Sequence, residues 1–294
     1  MIAYEPWTSG QLDDLFVKAQ QQRETYAEVY PFLKTLFSLK EQAVKTCRPE
    51  PWPLDTTTLD AQRSGGLPLI DRRAMSVDLP HAQALLENLF PLARETNPQM
   101  KQAAQRISDG LAAKTIDLSQ SCRFLLSENA EGMQQQAAAL DIRADLFAFF
   151  LYHSLWPSAA VHLRELTQHL PSEKNWTHGY CPFCGGVPAL ALLARNGRRY
   201  LVCSFCTHAW SSRRIFCPFC ENETAAMLGY FFSEAEEEYR VHTCRKCQAY
   251  LKTVDIRQMT RPFYAPLEAL ITTHLDLQAQ EQGFQNRTPA WFCL

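Results

Sequence analysis

Cys181-Pro-Phe-Cys184, Cys203-Ser-Phe-Cys206, Cys217-Pro-Phe-Cys220 and Cys244-Arg-Lys-Cys247 place eight of the chain's eleven cysteines within 67 residues. Two residues between cysteines let both sulfurs of one tight turn point at a single ion, with backbone N–H groups turned toward them. One pair supplies two ligands and a closed tetrahedral centre needs four, so four pairs read as two sites. A lone Cys-x-x-Cys says little. Four in order are specific.

The residues between the pairs read as β-ribbons. Gly185-Gly186 follow the first knuckle and allow the positive φ such a turn needs. Residues 187–194 read as a strand, Asn196-Gly197 as a two-residue hairpin turn, and 198–202 as the returning strand. This hairpin brings Cys181 and Cys184 back to Cys203 and Cys206, so those four share one ion. The second unit repeats the plan. Strands at 226–232 and 239–243 flank an acidic tip at 234–238, Cys244 and Cys247 close the site with Cys217 and Cys220, and 251–256 adds a third strand. An internal duplication accounts for this. Cross-braced pairing, first with third and second with fourth, is the alternative, and it leaves neither hairpin closing its own site.

Residues 1–175 read as a helical domain. Residues 9–47 carry a helical pattern interrupted at Pro31, with Leu12, Leu15, Phe16 and Ala19 on one face and Phe32, Leu33, Leu36 and Phe37 continuing it. Pro49, Pro51 and Pro53 begin an extended connection to about residue 68, and 69–78 have no period and stay unassigned. Asp78-Leu79-Pro80 starts another helix with Ala84, Leu85, Leu86, Leu89 and Phe90 inward; Asn97-Pro98 starts the next, and Asp117 caps a short one through Leu126. The strongest signal spans 140–170, kinked or broken at Pro157 and apolar almost all round its first half, so it is the expected centre of the bundle. Within it, Tyr152, His153, Trp156 and His162 read as core aromatics with satisfied histidines rather than a cofactor box.

After a linker at 171–175, the cysteine modules occupy 176–212 and 213–258. The remainder, 259–294, holds an amphipathic helix at about 262–282, stopped by Gly283, and a docked tail at 288–294. That helix presents Leu267, Leu270, Ile271, His274, Leu275 and Leu277 on its apolar side and is expected to return onto the helical domain or the ribbons. The fold class is α+β: an N-terminal helical domain, two tandem rubredoxin-like or zinc-ribbon β modules and a C-terminal helix.

Composition narrows the function. Of 294 residues, 20% are charged and 46% hydrophobic, with a formal charge of −2. Eight thiolates on two divalent ions would take this to about −6, which argues against a duplex binder working by broad phosphate neutralisation. No secretory signal opens the chain, and the greasy stretch 146–160 is too short to span a bilayer. Paired thiols without a targeting segment fit the reducing cytoplasm. Cys47, Cys122 and Cys293 read as buried or idle thiols.

Each ribbon is about 35–40 residues, too small for an apolar core alone, so a metal worth about 10–16 kcal/mol must carry it. Zinc would be an inert staple and iron a one-electron site; four thiolates accept either. Arg195, Arg198, Arg199, Arg213, Arg214, Arg240, Arg245, Lys246 and Lys252 read as solvent-facing cations offsetting thiolate charge, and His178, His208 and His242 as neighbours of the centres or surface groups. No exposed low-pKa cysteine is singled out for thiol exchange. No phosphate-cradling glycine loop, His-Glu-x-x-His helix or nucleophile elbow is present, so no catalytic site is expected.

Cys181-Pro-Phe-Cys-Gly-Gly-Val-Pro188, Arg199-Tyr-Leu-Val-Cys-Ser-Phe-Cys-Thr-His-Ala-Trp210, Cys217-Pro-Phe-Cys220, Cys244-Arg-Lys-Cys-Gln-Ala-Tyr-Leu-Lys252 and Glu281-Gln-Gly-Phe284 together resemble the formate dehydrogenase accessory protein FdhE family. The resemblance covers about 180–294; the N-terminal half matches in helical character and length, and Gln248-Ala249 departs from the family's Gly-Thr. Membership implies a cytoplasmic, non-enzymatic protein required for active respiratory formate dehydrogenase without being a subunit of it. It implies contact with the molybdenum-containing catalytic subunit before export, the helical half being the candidate docking surface. It also implies two iron ions, held by Cys181, Cys184, Cys203, Cys206, Cys217, Cys220, Cys244 and Cys247, with zinc open in either site. Neither nucleic-acid binding nor membrane insertion is expected. The rivals are a zinc-ribbon nucleic-acid-binding protein and a rubredoxin-like electron carrier.

Overall fold

In the computed structural model, residues 5–55, 59, 62, 65–171, 176–234 and 236–289 are described. The chain divides into two compact units: one comprises Glu5–Pro53 and Arg72–Glu165, the other Leu54–Asp71 and the residues from Leu166 onward.

The first unit is helical. Helix α1 (Ser9–Gln22) opens on a reciprocal cap between Thr8 and Gln11 and buries Leu12, Leu15, Phe16 and Ala19. Helix α2 (Tyr30–Thr46) buries Leu33, Leu36 and Phe37. The interruption falls before Pro31 rather than at it. Pro31 sits in the first turn of α2, where its missing N–H leaves no ladder bond unmade.

The expected caps of the next three helices are present: Asp78 accepts from His81 N–H at α3 (Leu79–Arg94), Asn97 from Met100 N–H at α4 (Pro98–Ala112), and Asp117 from Gln120 N–H at α5 (Leu118–Leu126). Of the α3 residues expected inside, only Ala84 is exposed. Helix α6 (Ala130–Ala139) is an addition, capped by Asn129. It buries only Gly132, Met133 and Ala137, too faint a stripe to stand out in sequence.

Helix α7 (Ala144–Leu166) begins later than expected and runs through Pro157 without stopping. Every residue from Phe147 to Leu163 is buried, so packing on all sides holds the helix across the missing hydrogen bond. Its histidines only partly meet the expectation of satisfied rings. His162 Nε2 lies 3.1 Å from both Ser76 Oγ and Ser76 O, whereas its Nδ1 and that of His153 have no partner among the described residues. His153 packs edge-on against Phe149, and burial, reinforced by the Lys40 ammonium, holds its pKa well below the ordinary range.

The second unit is a mixed sheet. Strands β1 (Pro188–Leu193), β2 (Arg199–Cys203) and β3 (Ala209–Ser212) form the first ribbon, and β4 (Leu228–Phe231), β5 (Tyr239–Cys244) and β6 (Ala249–Asp255) the second. The order is β3-β2-β1-β6-β5-β4, with β7 (Gln285–Asn286) on β6. Within each ribbon neighbours are antiparallel. The two ribbons are joined by the parallel pair β1–β6, in register Ala191 to Thr253 through Leu193 to Asp255. Both joining strands are buried along their whole length, as central strands covered on two faces are.

The expected C-terminal helix is two: α8 (Ala265–Leu270) and α9 (Thr273–Glu281), broken where Thr272 Oγ1 donates back to Glu268 O at 2.6 Å. Both return to the sheet. Leu275 and Ala279 join Tyr239, Val241, Tyr250 and Val254 in a shared core. Lys252 Nζ donates to Ala269 O at 2.8 Å and to Asp276 Oδ2 at 2.6 Å, occupying an orphan carbonyl at the end of α8. The break also rotates Leu277 out to solvent. Gly283 ends α9 at a φ of 85°.

Residues 69 and 70 find their place here. Leu69 N–H donates to Pro182 O at 2.8 Å and Ile70 N–H to Phe183 O at 2.9 Å, so this stretch lies along the first knuckle. Upstream, Leu59, Gln62 and Gly65 are helical where an extended connection was expected. Of the tail, Thr288 donates to Pro188 O at 3.1 Å, and residues 290–294 lie outside the described residues.

Candidate metal centres

The four knuckles share one backbone device. The residue after each second cysteine is left-handed: Gly185 at φ 73°, Thr207 at 61°, Glu221 at 55° and Gln248 at 57°. That reversal curls the chain around its sulfurs, so that Gly185 N–H reaches Cys181 O at 2.9 Å and Phe205 N–H donates to Cys203 Sγ at 3.3 Å. One residue further, Gly186 O and Asn222 O accept the N–H of Cys181 and Cys217, each at 2.9 Å. The two knuckles thus share the left-handed residue and this bond at the same offsets, although one carries Gly-Gly and the other Glu-Asn.

The sulfurs gather as two sets, Cys181, Cys184, Cys203 and Cys206, and Cys217, Cys220, Cys244 and Cys247, each with all ligand atoms within 4.8 Å of one another. In the first set Sγ–Sγ separations are 3.7 Å (Cys181–Cys206), 3.5 Å (Cys184–Cys203) and 3.6 Å (Cys184–Cys206). In the second, Cys217–Cys247 and Cys220–Cys244 are both 3.7 Å. Four sulfurs placed about 2.3 Å from a central ion lie about 3.8 Å apart, which these separations match. A disulfide needs about 2.05 Å and is excluded for these pairs. Adjacent pairs close each set; the cross-braced alternative does not occur.

The chemistry of the donor set agrees with its dimensions. Burial pushes the Cys181 and Cys206 thiols well above the usual range, while hydrogen bonds from Cys181, Cys184 and Cys206 outweigh burial and hold Cys203 well below it. Without a cation the set therefore favours one thiolate among thiols over four thiolates. A divalent ion at the centre reverses that balance. Both sets are therefore able to hold a metal ion, and four thiolates suit zinc and iron alike. They differ in exposure. All four cysteines of the first set are buried, while Cys220 and Cys247 of the second are partly open to solvent.

The basic residues divide where the sequence suggested one solvent-facing group. Arg199 is 2% exposed and donates to Arg213 O at 3.2 Å and Phe216 O at 2.9 Å; burial lowers it to about 10, opposed by Cys217. Lys252 is likewise buried, in its cap of α8. Their aliphatic stems fill the interior of a sheet whose central strands have no solvent side. Arg213 lies at the surface, as expected, and pairs there with Glu223.

The histidines stand outside both four-sulfur sets. His208 is buried beside the first set, its carbonyl accepting Cys203 N–H at 2.9 Å, and burial lowers its ring to about 4. His242 Nδ1 lies 2.6 Å from Thr253 Oγ1, and burial, then Arg199 and Arg240, lower it to about 3. Sequence reasoning missed β3, the buried arginine and three of the four left-handed positions. The last had a signal: a turn residue is demanded at the same offset after every second cysteine, whichever side chain fills it.

The chain is similar to known proteins. A family model described as the FdhE central domain matches residues 180–214. An FdhE homolog of Aquifex aeolicus is 29% identical over 242 residues, 79% of this chain and 76% of the relative. One from Shewanella oneidensis is 27% identical over 199 residues, 61% of this chain and 62% of the relative. The crystal structure of the FdhE protein from Pseudomonas aeruginosa has the same fold, with a TM-score of 0.71 at 22% identity over 97% of this chain and 96% of that one. The matching cysteine module, these relatives and the common fold make the chain similar to the FdhE proteins over most of its length.

Proposed function

We propose that this chain is a non-enzymatic maturation factor for a respiratory formate dehydrogenase, binding the enzyme's catalytic subunit in the cytoplasm and carrying one iron ion in each tetrathiolate set. The observation that carries this reading is the pair of four-cysteine sets in a chain similar to the FdhE proteins, one sealed and one half open. The sealed set anchors the start of β1 to the end of β2. The open set, through Cys220 and Cys247, is the one a partner or reductant can approach. Iron would supply a one-electron couple there; zinc would make the same set an inert staple. The formal charge of −2 and the burial of Arg199 and Lys252 speak against a nucleic-acid interface built on these cations. No described helix is long and apolar enough to cross a membrane.

Anaerobic purification followed by metal analysis and a visible spectrum tests the ion, because ferric tetrathiolate is red and zinc is colourless. A pull-down with the catalytic subunit tests the partner. Retention of DNA or RNA in a salt-sensitive manner, with no retention of the catalytic subunit, would overturn the maturation reading in favour of the nucleic-acid one.

A further inference from the structure

A cavity of about 630 Å³ opens between the two ribbons, within the range of small-molecule sites. Arg199, Arg214, Arg240 and His242 line it, with Ile215 and Tyr230 among its apolar residues, and no Asp or Glu does among the described residues. The three guanidiniums are poorly matched. Arg199 donates to two carbonyls, and among the described residues it has no carboxylate partner and its buried Nε has no acceptor. Arg240 has a buried Nε in the same condition, and its nearest carboxylate, Asp255 at 3.5 Å, is already gripped by Arg257 at 2.6 and 2.7 Å. Arg214 has no carboxylate partner among the described residues.

A buried N–H without an acceptor is costly, and a guanidinium fork is shaped for a carboxylate or phosphate. The second cysteine set offsets only part of this charge. Cys217 and Cys244 border the cavity, but four thiolates on a divalent ion carry two net negative charges against three guanidiniums. A positive remainder faces the cavity. Ile215 and Tyr230 are each 59% exposed, and the Tyr230 ring stacks on Phe232 at 6.2 Å, so a planar apolar wall stands in the same cleft. We propose that this cavity binds a small organic oxyanion, a phosphate or carboxylate carried on a flat apolar body, with the guanidiniums of Arg214 and Arg240 on the anion and Tyr230 against the body. The site stands whether or not the chain serves formate dehydrogenase.

Isothermal titration of the full metal-loaded chain tests it, with 1-naphthyl phosphate, 1-naphthoate, neutral 1-naphthol and inorganic phosphate as probes. One naphthyl anion is expected to bind saturably at one per chain, at least tenfold tighter than naphthol and than inorganic phosphate. The preferred anion identifies the headgroup. Arg214→Gln and Arg240→Gln should each weaken it tenfold or more, and Tyr230→Ala should weaken it while leaving inorganic phosphate unchanged; Lys18→Gln, on α1, should do nothing. Arg199 is left intact because its two carbonyl bonds tie the chain after β3, and Arg214, being exposed, cannot fail by unfolding. Equal binding of naphthol, absence of saturation at millimolar probe, or full affinity in both arginine variants would each overturn the proposal.

Discussion

Gly186→Ala is the sharpest test of the reading of the first cysteine set. A Cβ at this position would lie 2.9 Å from Cys203 Sγ and 3.5 Å from Cys184 Sγ. Comfortable contact is about 3.5–4.0 Å, so Cys203 Sγ or the backbone must retreat by roughly 0.6–1 Å. Metal–ligand lengths tolerate about 0.2 Å, so the sulfur cannot yield without loosening the ion. Overpacking of this kind costs about 1–3 kcal/mol, or roughly 5- to 150-fold in affinity at the first set alone. The matched control is Asn222→Ala. Asn222 occupies the equivalent position of the second knuckle, already carries a side chain, and holds the same carbonyl bond to the first cysteine. Zinc-loaded protein titrated with a chromophoric chelator should release one equivalent earlier in Gly186→Ala and keep the other unchanged, while Asn222→Ala should release both much as the wild type does. Identical release curves for Gly186→Ala and wild type would show that the sulfurs do not close around an ion as their spacing implies.

Cys181→Ser should lower the bound metal from two ions per chain to one, read by native mass spectrometry; retention of two would remove that cysteine from the ligand set. Thr207 is a β-branched residue at a φ of 61°, so Thr207→Gly should stabilise the sheet unit by about 0.5–1 kcal/mol after the added chain entropy is counted, measured by denaturant melting; a loss of stability would contradict this. Burial lowers the Lys40 ammonium to about 7 against the pull of Glu41, so between about pH 7 and 10 the unfolded chain holds a proton that the native one lacks. The helical unit should therefore gain stability with rising pH over that window, by at most about 1.4 kcal/mol per unit, and Lys40→Met should flatten the slope; equal slopes would refute it. Burial pushes the Cys47 thiol to about 11 and the Cys122 thiol to about 12, so neither should react with iodoacetamide at pH 8 in the folded protein. Rapid labelling of either would show that its site opens.

Local chemistry explains which elements were legible. Asp78, Asn97 and Asp117 cap their helices because a short polar side chain can reach an N–H three residues on, whatever lies elsewhere in the chain. The cysteine pairs grouped as expected because an 18-residue hairpin returns its own ends to each other. Residues 69–70 could not be read because their hydrogen bonds go to Pro182 and Phe183, more than a hundred positions away. The C-terminal helix divided at Thr272 because the α8 end is held by Lys252 from another strand, a constraint no periodicity carries.

By itself, then, the order of the residues determined the helical first half, the two ribbons and the eight sulfurs that draw together, because caps, hairpin turns and ligand spacing act over a few residues. Only the tertiary structure decided that the ribbons fuse through β1 and β6 into one sheet, that the sets differ in exposure, and that Arg199 and Lys252 lie inside. Those outcomes depend on which surfaces exclude water from each other, and burial of that kind is settled by contacts between segments far apart in the chain.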